Sequence, residues 1–192
     1  MKNNIPRIYT YTFCRMLLFI LPVFSPFLQS RGLSMREVFE ILAVFNLAMV
    51  LFDIPTGYLC DHIGRKPTMI LGSLVTALGY TSLNFSHTYW HFVVTYFVVA
   101  IGFSLISGAD IALIYESLDF LAPEKKHPHG IIAKQQFAMV SAEAVAAIGG
   151  GLLAEHSWDL LVKVNTVFAW IPLFIAFTVS YTHLTLPTIL LV

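Results

Sequence analysis

Residues 52–66 read F-D-I-P-T-G-Y-L-C-D-H-I-G-R-K, and they interrupt an otherwise apolar text with Asp61, His62, Arg65 and Lys66. Apolar sequence of membrane length lies on both sides. A connection this short between two such segments forces an antiparallel helical hairpin. Its Arg and Lys mark the cytoplasmic side, where basic residues accumulate. Gly57 and Gly64 lack a Cβ and suit close helix contact and a tight turn. Asp61 is an acceptor at a helix end, and Arg65 is a forked donor suited to a carboxylate.

Working outward, the 192 residues are 57% hydrophobic and 11% charged, with mean hydropathy +0.77, more apolar than one soluble core could use. The chain is therefore a polytopic, all-α membrane protein whose first partner is the lipid bilayer. A net charge of zero and the absence of a basic run with interleaved aromatics exclude a nucleic-acid reading. Cys14 and Cys60 both lie in apolar segments without a C-x-x-C pair, which indicates packing rather than a disulfide or metal site. His87 and His91 stand four apart without a third ligand nearby, so no metal is expected. The first apolar stretch lacks a small-residue cleavage site and leads into further spans, so it reads as a retained helix.

A membrane helix takes about 20 apolar residues, which divides the chain into six spans at 8–29, 37–60, 67–85, 90–115, 132–154 and 160–179. Orientation follows from the eleven Lys and Arg. Lys2, Arg7, Arg15, Arg65, Lys66, Lys125, Lys126 and Lys134 fall on one side, and Arg31, Arg36 and Lys163 on the other. That asymmetry places both ends of the bundle, including the N-terminus, in the cytoplasm. The segment 120–130, with Pro123, Lys125, Lys126 and Pro128, reads as a solvated cytoplasmic hairpin.

Local signals fit these spans. Pro22 and Pro26 are kinks of the first helix. Gly32 is a stop, Ser34 an N-cap with Glu37 in the capping-box position, and Pro67 a first-turn proline. Gly72, Gly79 and the run Gly149–Gly150–Gly151 thin helices for close approach in lipid. Tyr89 and Trp90 are interfacial aromatics.

Ionisable groups at membrane depth are functional candidates. Glu143, roughly 16 Å along its helix from residue 132 at about 1.5 Å per residue, lies near the midplane and is the leading candidate for proton coupling. Asp53 and Asp110 lie nearer the cytoplasmic edge, where structural pairing competes with transport chemistry. Arg15 sits two turns inside the first span, either snorkelling to the interface or pairing with Glu143 or Asp110. Glu116 and Asp119 close the fourth span on the hairpin's side, so Arg65 is expected to pair with one of them.

The spacing of Gly57, Asp61, Gly64, Arg65 and Lys66 resembles the loop signature between the second and third helices of the major facilitator superfamily, G-x-x-x-D-(R/K)-x-G-(R/K)-(R/K). His62 departs from it, standing where Arg or Lys is usual. Together with S-G-A-D-I-A-L-I-Y-E-S-L at 107–118, the text is similar to a bacterial branch of the superfamily that usually carries Glu at the position of Asp53 and Asp at that of Glu116.

The resemblance implies the N-terminal six-helix bundle of a secondary transporter over 1–178, in the inner membrane. Such a protein moves a small-molecule substrate by alternating access, as a symporter or antiporter coupled to protons, and is completed by a C-terminal half. It also implies that Asp61, Arg65 and Glu116, with the surrounding Gly57, Gly64, Lys66 and Asp119, form a latch between conformations. Residues 179–188, V-S-Y-T-H-L-T-L-P-T, resemble the translation of a transposon-type sequencing adapter, so 179–192 reads as a non-native tail and the natural coding sequence as breaking off near Thr178.

Two other classes compete. Asp53 and Asp110 could form a membrane aspartyl protease dyad, but such enzymes carry Y-D and G-x-G-D motifs where this chain has F-D and S-G-A-D. With no H-E-x-x-H, G-x-S-x-G or phosphate-binding glycine loop, neither an enzyme nor a cofactor is expected. A six-helix membrane scaffold, or a self-associating half-transporter without activity alone, is the other alternative.

Overall fold

The computed structural model describes residues 4–121 and 128–178, with side chains described outside positions 4, 5, 108, 110–121, 128, 129 and 131. All the described elements are helical. They are α1 (Asn4–Met16), α2 (Phe24–Ser30), α3 (Met35–Ile63), α4 (Arg65–Ser82) with a 3-10 turn at Leu83–Phe85, α5 (Tyr89–Leu121), α6 (Pro128–His156) and α7 (Trp158–Thr178). The tail at 179–192 and the centre of the loop, 122–127, lie outside the described residues.

Among the described residues, four segments are long and apolar enough to cross a membrane: Met35–Ile63, Tyr89–Ser107, Ile132–His156 and Trp158–Thr178. The expected first span is not one helix. It is interrupted at 17–23, between α1 and α2. Pro22 has no N–H for a helical bond and disfavours the helical conformation at Leu21 before it. Pro26, by contrast, falls in the first turn of α2, where a missing N–H costs little.

The start of α3 follows from its cap. The Ser34 Oγ accepts the Glu37 N–H at 3.4 Å, the Ser34 N–H donates to Glu37 Oε2 at 2.8 Å, and the capping box is complete. Gly32 just before it has φ +88°, a conformation that glycine adopts without penalty. Inside α3, Pro55 cannot donate to the turn before it, and the Thr56 hydroxyl donates to the Phe52 carbonyl at 2.7 Å.

Packing joins sequence neighbours and distant elements alike. α3 and α4 each lie chiefly against α5, α4 also against α7, and α1 against α6 and α7. Glycines set the closest approaches. A Cβ at Gly72 would stand 2.9 Å from the Gly102 carbonyl oxygen of α5, and one at Gly79 would stand 2.6 Å from Val99. Gly149 and Gly150 face Phe19 in the interruption of the first span, while Gly151 faces open space. Small residues therefore bring α4 onto α5 and α6 onto the broken segment, as lipid-embedded packing requires.

Apolar clusters occupy each end. One gathers Phe24, Phe27 and Leu28 of α2 with Phe92 and Tyr96 of α5 and Leu161 of α7; the other joins Ile8, Tyr11, Cys60, Met69, Ile106 and Ala176. The second cluster brings the first half of α1, the end of α3, the start of α4, the middle of α5 and the end of α7 together. This is the hairpin end of the bundle.

Candidate functional site

The hairpin is tighter than its sequence suggests. α3 continues to Ile63 and α4 begins at Arg65, so Gly64 alone reverses the chain. Its φ of +92° is open to glycine at no cost, and its N–H still donates to the Cys60 carbonyl at 3.0 Å. Asp61 and His62 consequently stand in the last turn of α3, and Arg65 and Lys66 in the first turn of α4.

Asp61 at the end of α3, and Arg65 and Lys66 at the start of α4, oppose the helix dipole, which favours cations at C-termini and anions at N-termini by about 0.3–1 kcal/mol. Helix stability is thus no reason for these charges. Their partners lie elsewhere. The Lys66 Nζ donates to the Phe177 carbonyl of α7 at 3.0 Å, and the Arg7 guanidinium donates to the Thr178 carbonyl at 2.8 Å. Two cations from α1 and α4 therefore meet the carbonyl end of a third helix, where positive charge is favourable. His62 lies on the Tyr58 ring, centroids 4.0 Å apart, with Nδ1 3.1 Å from the Tyr58 carbonyl oxygen.

The backbone of α5 extends the hairpin end. Ala109 packs in the same buried cluster as Cys60 and Met69. Glu116 and Asp119 follow two to three turns further along α5, which runs to Leu121 instead of stopping near 115. Their side chains, with that of Asp110, lie outside the described ones, so the pairing with Arg65 stays an expectation. A Cβ at Gly57 would meet nothing within 4 Å, so this glycine makes no close helix contact with the described residues.

The acids at membrane depth fall into different surroundings. Asp53 is exposed, with its Oδ1 accepting from the Ser104 hydroxyl of α5 at 3.0 Å. The Ser104 Oγ is also 2.8 Å from the Thr56 Oγ1, so a buried hydroxyl pair lies directly behind Asp53. Glu143 stands midway along α6 and is exposed, between the buried Ala142 and Ala146. Arg15 closes α1 and is 8% exposed, so it does not snorkel freely into solvent. One turn before it, the buried Thr12 hydroxyl accepts from the Gln135 amide of α6 at 3.5 Å. Among the described residues no three His, Cys, Asp or Glu side chains converge as a metal set.

The opposite end carries paired charges. Arg31 bonds Asp159 at 2.5 Å and Arg36 bonds Glu40 at 2.9 Å, and the Tyr89 hydroxyl donates to the other Glu40 oxygen at 3.0 Å. Arg31 and Arg36 thus add little net positive charge there.

Sequence reasoning missed the Ser104–Thr56 pair, because hydroxyl residues in an apolar helix carry no signal until a neighbouring helix supplies a partner. It also missed the role of Asn165, a fully buried amide whose Oδ1 accepts the Ile20 N–H at 3.2 Å.

These helices, with basic side chains gathered at one end and paired charges at the other, describe a multi-pass membrane protein. A sequence model of the Major Facilitator Superfamily matches residues 8–189, and the chain belongs to that family of membrane transporters. It is also similar to the methyl viologen resistance protein SmvA of Salmonella typhimurium, from strains LT2 and 14028s, at 29% identity over 148 residues. The aligned stretch is 76% of this chain and 29% of those relatives, so the chain spans under a third of their length.

Proposed function

We propose that residues 1–178 are the six-helix N-terminal bundle of a secondary active exporter of small organic molecules, driven by protons and working by alternating access. The observation that carries this reading is the hairpin: one glycine separates Asp61 from Arg65 and Lys66, in dipole-opposed positions at the end where α7 also finishes. Charges placed against local helix stability suit a contact that must form and break. In this reading Asp61, Arg65 and Glu116, framed by Gly57, Gly64, Lys66 and Asp119, are the latch.

In this reading α1, the interruption at 17–23 and α2 count as the single first span, and α4 with its 3-10 extension as the third. The hairpin end is cytoplasmic, with the N-terminus, in the inner membrane. A second helical half completes the transporter. The uncovered apolar faces of α3, with Ile54 82% exposed, and of α6, with Ile148 70% exposed, suit such a partner. Glu143 and Asp53, acids exposed at membrane depth, are the coupling candidates, with Arg15 and Asp110 as their charge partners.

The relative's name makes methyl viologen the first substrate to test. Everted vesicles carrying the gene product should accumulate it under a proton gradient, lose it on adding a protonophore, and fail with Glu143→Gln. Accumulation that ignores the protonophore and survives the substitution would sink proton coupling. No accumulation of any organic solute would favour the scaffold reading.

A further inference from the structure

Four oxygens stand in series across the contact between α3 and α5. The Phe52 carbonyl oxygen is 2.7 Å from Thr56 Oγ1, Thr56 Oγ1 is 2.8 Å from Ser104 Oγ, and Ser104 Oγ is 3.0 Å from Asp53 Oδ1. All three contacts fall within the roughly 2.5–3.0 Å of an O–H···O bond. Thr56 and Ser104 are 6% and 2% exposed, so the chain is closed to solvent within the bundle, whereas Asp53 opens it at the surface of α3.

A contact of this length needs a hydrogen between its two oxygens, because lone pairs brought so close repel. Three contacts therefore need three hydrogens. The carbonyl supplies none and each hydroxyl supplies one, which leaves one contact short when Asp53 is ionised. With Ser104 donating to Asp53, the Thr56 hydrogen serves Ser104 or Phe52 but not both. The Asp53 and Ser104 carbonyls, 3.3 and 3.4 Å from Thr56 Oγ1, are further acceptors and deepen the shortage. The carboxyl group is the one member that can supply the third hydrogen: Asp53 then donates to Ser104, Ser104 to Thr56, and Thr56 to Phe52.

No cation accounts for Asp53 instead. Among the described residues its carboxyl group enters no salt bridge. Of the elements packed on α3, α2 has no ionisable residue, and α4 carries Arg65 and Lys66 at the hairpin and the buried Tyr80 toward its other end. On α5 the next acid beyond Ser104 is Asp110, whose side chain lies outside the described ones.

We infer that this geometry is the proton-loaded form of Asp53, and that Ser104 and Thr56 are the positioning residues that hold the proton there. Loading takes one proton from water onto the carboxylate and turns both hydroxyls toward the Phe52 carbonyl. Release returns that proton to water, and the hydroxyls turn back so that Thr56 donates to Ser104 and Ser104 to Asp53. The chain keeps α3 on α5 in both states. For its place in transport the inference rests on the reading of Asp53 as a coupling acid, which it deepens by naming what holds the proton.

The test is infrared spectroscopy of the purified 192-residue chain in detergent, recorded as acid-minus-alkaline difference spectra in light and heavy water. A protonated carboxyl group absorbs above the amide bands and moves on deuteration. Asp53→Asn should remove one such band. Ser104→Ala should shift that band to higher wavenumber, because its O–H loses its acceptor, and Ser104→Thr should restore it. Thr56→Val should shift it less, since Ser104 still accepts. A band that Ser104→Ala leaves in place, or the absence of any band that Asp53→Asn removes, overturns the inference.

Transport separates this inference from the reading it deepens. In the everted vesicles, Ser104→Ala should displace the pH profile of accumulation and Ser104→Thr should not. Accumulation that follows the proton gradient while the band ignores Ser104 keeps proton coupling and overturns the relay. A Ser104-dependent band with accumulation blind to the protonophore upholds the relay and removes its coupling role.

Discussion

The Ile20 N–H donates to Asn165 Oδ1 at 3.2 Å, joining the interruption of the first span to the middle of α7 across 145 residues. In lipid a non-helical N–H has no water to turn to, so this side chain makes the interruption tolerable. Asn165 is 0% exposed, so the bond is shielded from solvent.

Removing that acceptor leaves a buried donor unsatisfied. Asn165→Ala should cost about 1–3 kcal/mol, read as a lowered thermal midpoint of the chain in detergent. A midpoint equal to wild type would show that the Ile20 N–H is satisfied by something else.

The glycine run offers a paired comparison on one helix. At Gly150 a Cβ would collide with the Phe19 carbonyl oxygen, whereas at Gly151 it meets nothing within 4 Å. Gly150→Ala should therefore destabilise by about 1–3 kcal/mol. Gly151→Ala should be neutral or gain up to about 1 kcal/mol from helix propensity. Equal effects on chemical denaturation would mean that α6 does not approach Phe19 this closely.

At the other end of the molecule, the capping box is testable without unfolding the bundle. Ser34→Ala removes the acceptor of the Glu37 N–H and should cost about 0.5–2 kcal/mol. The loss should appear as faster amide hydrogen exchange in the first turn of α3, with the rest of that helix unaffected. Unchanged exchange at Glu37 would contradict the cap.

For the latch, the proposed pairing of Arg65 with Glu116 predicts non-additivity. Arg65→Glu and Glu116→Arg should each depress transport, and the double reversal should recover a substantial part of it, with coupling of about 0.5–3 kcal/mol. Strictly additive losses would assign Arg65 a different partner, with Asp119 the next to exchange.

Composition alone determined that this chain is helical and membrane-spanning, because lipid leaves helices as the solution for long apolar segments of this kind. Ser34 with Glu37, Gly32, Pro67 and Gly64 marked helix ends legibly, since capping and reversal depend on residues only a few positions apart. The spacing from Gly57 to Lys66 likewise pointed to the family that the whole-chain match identifies. What tertiary structure decided were relationships between distant residues. Pro22 announced a kink, but a full interruption at 17–23 required the Asn165 amide and the room beside Gly149 and Gly150. Asp53 was visible as an acid within an apolar span, but not the Ser104 hydroxyl 51 residues away that bonds it. Local sequence encodes each helix and its caps, whereas a hydrogen bond between helices exists only once packing has fixed their register and rotation.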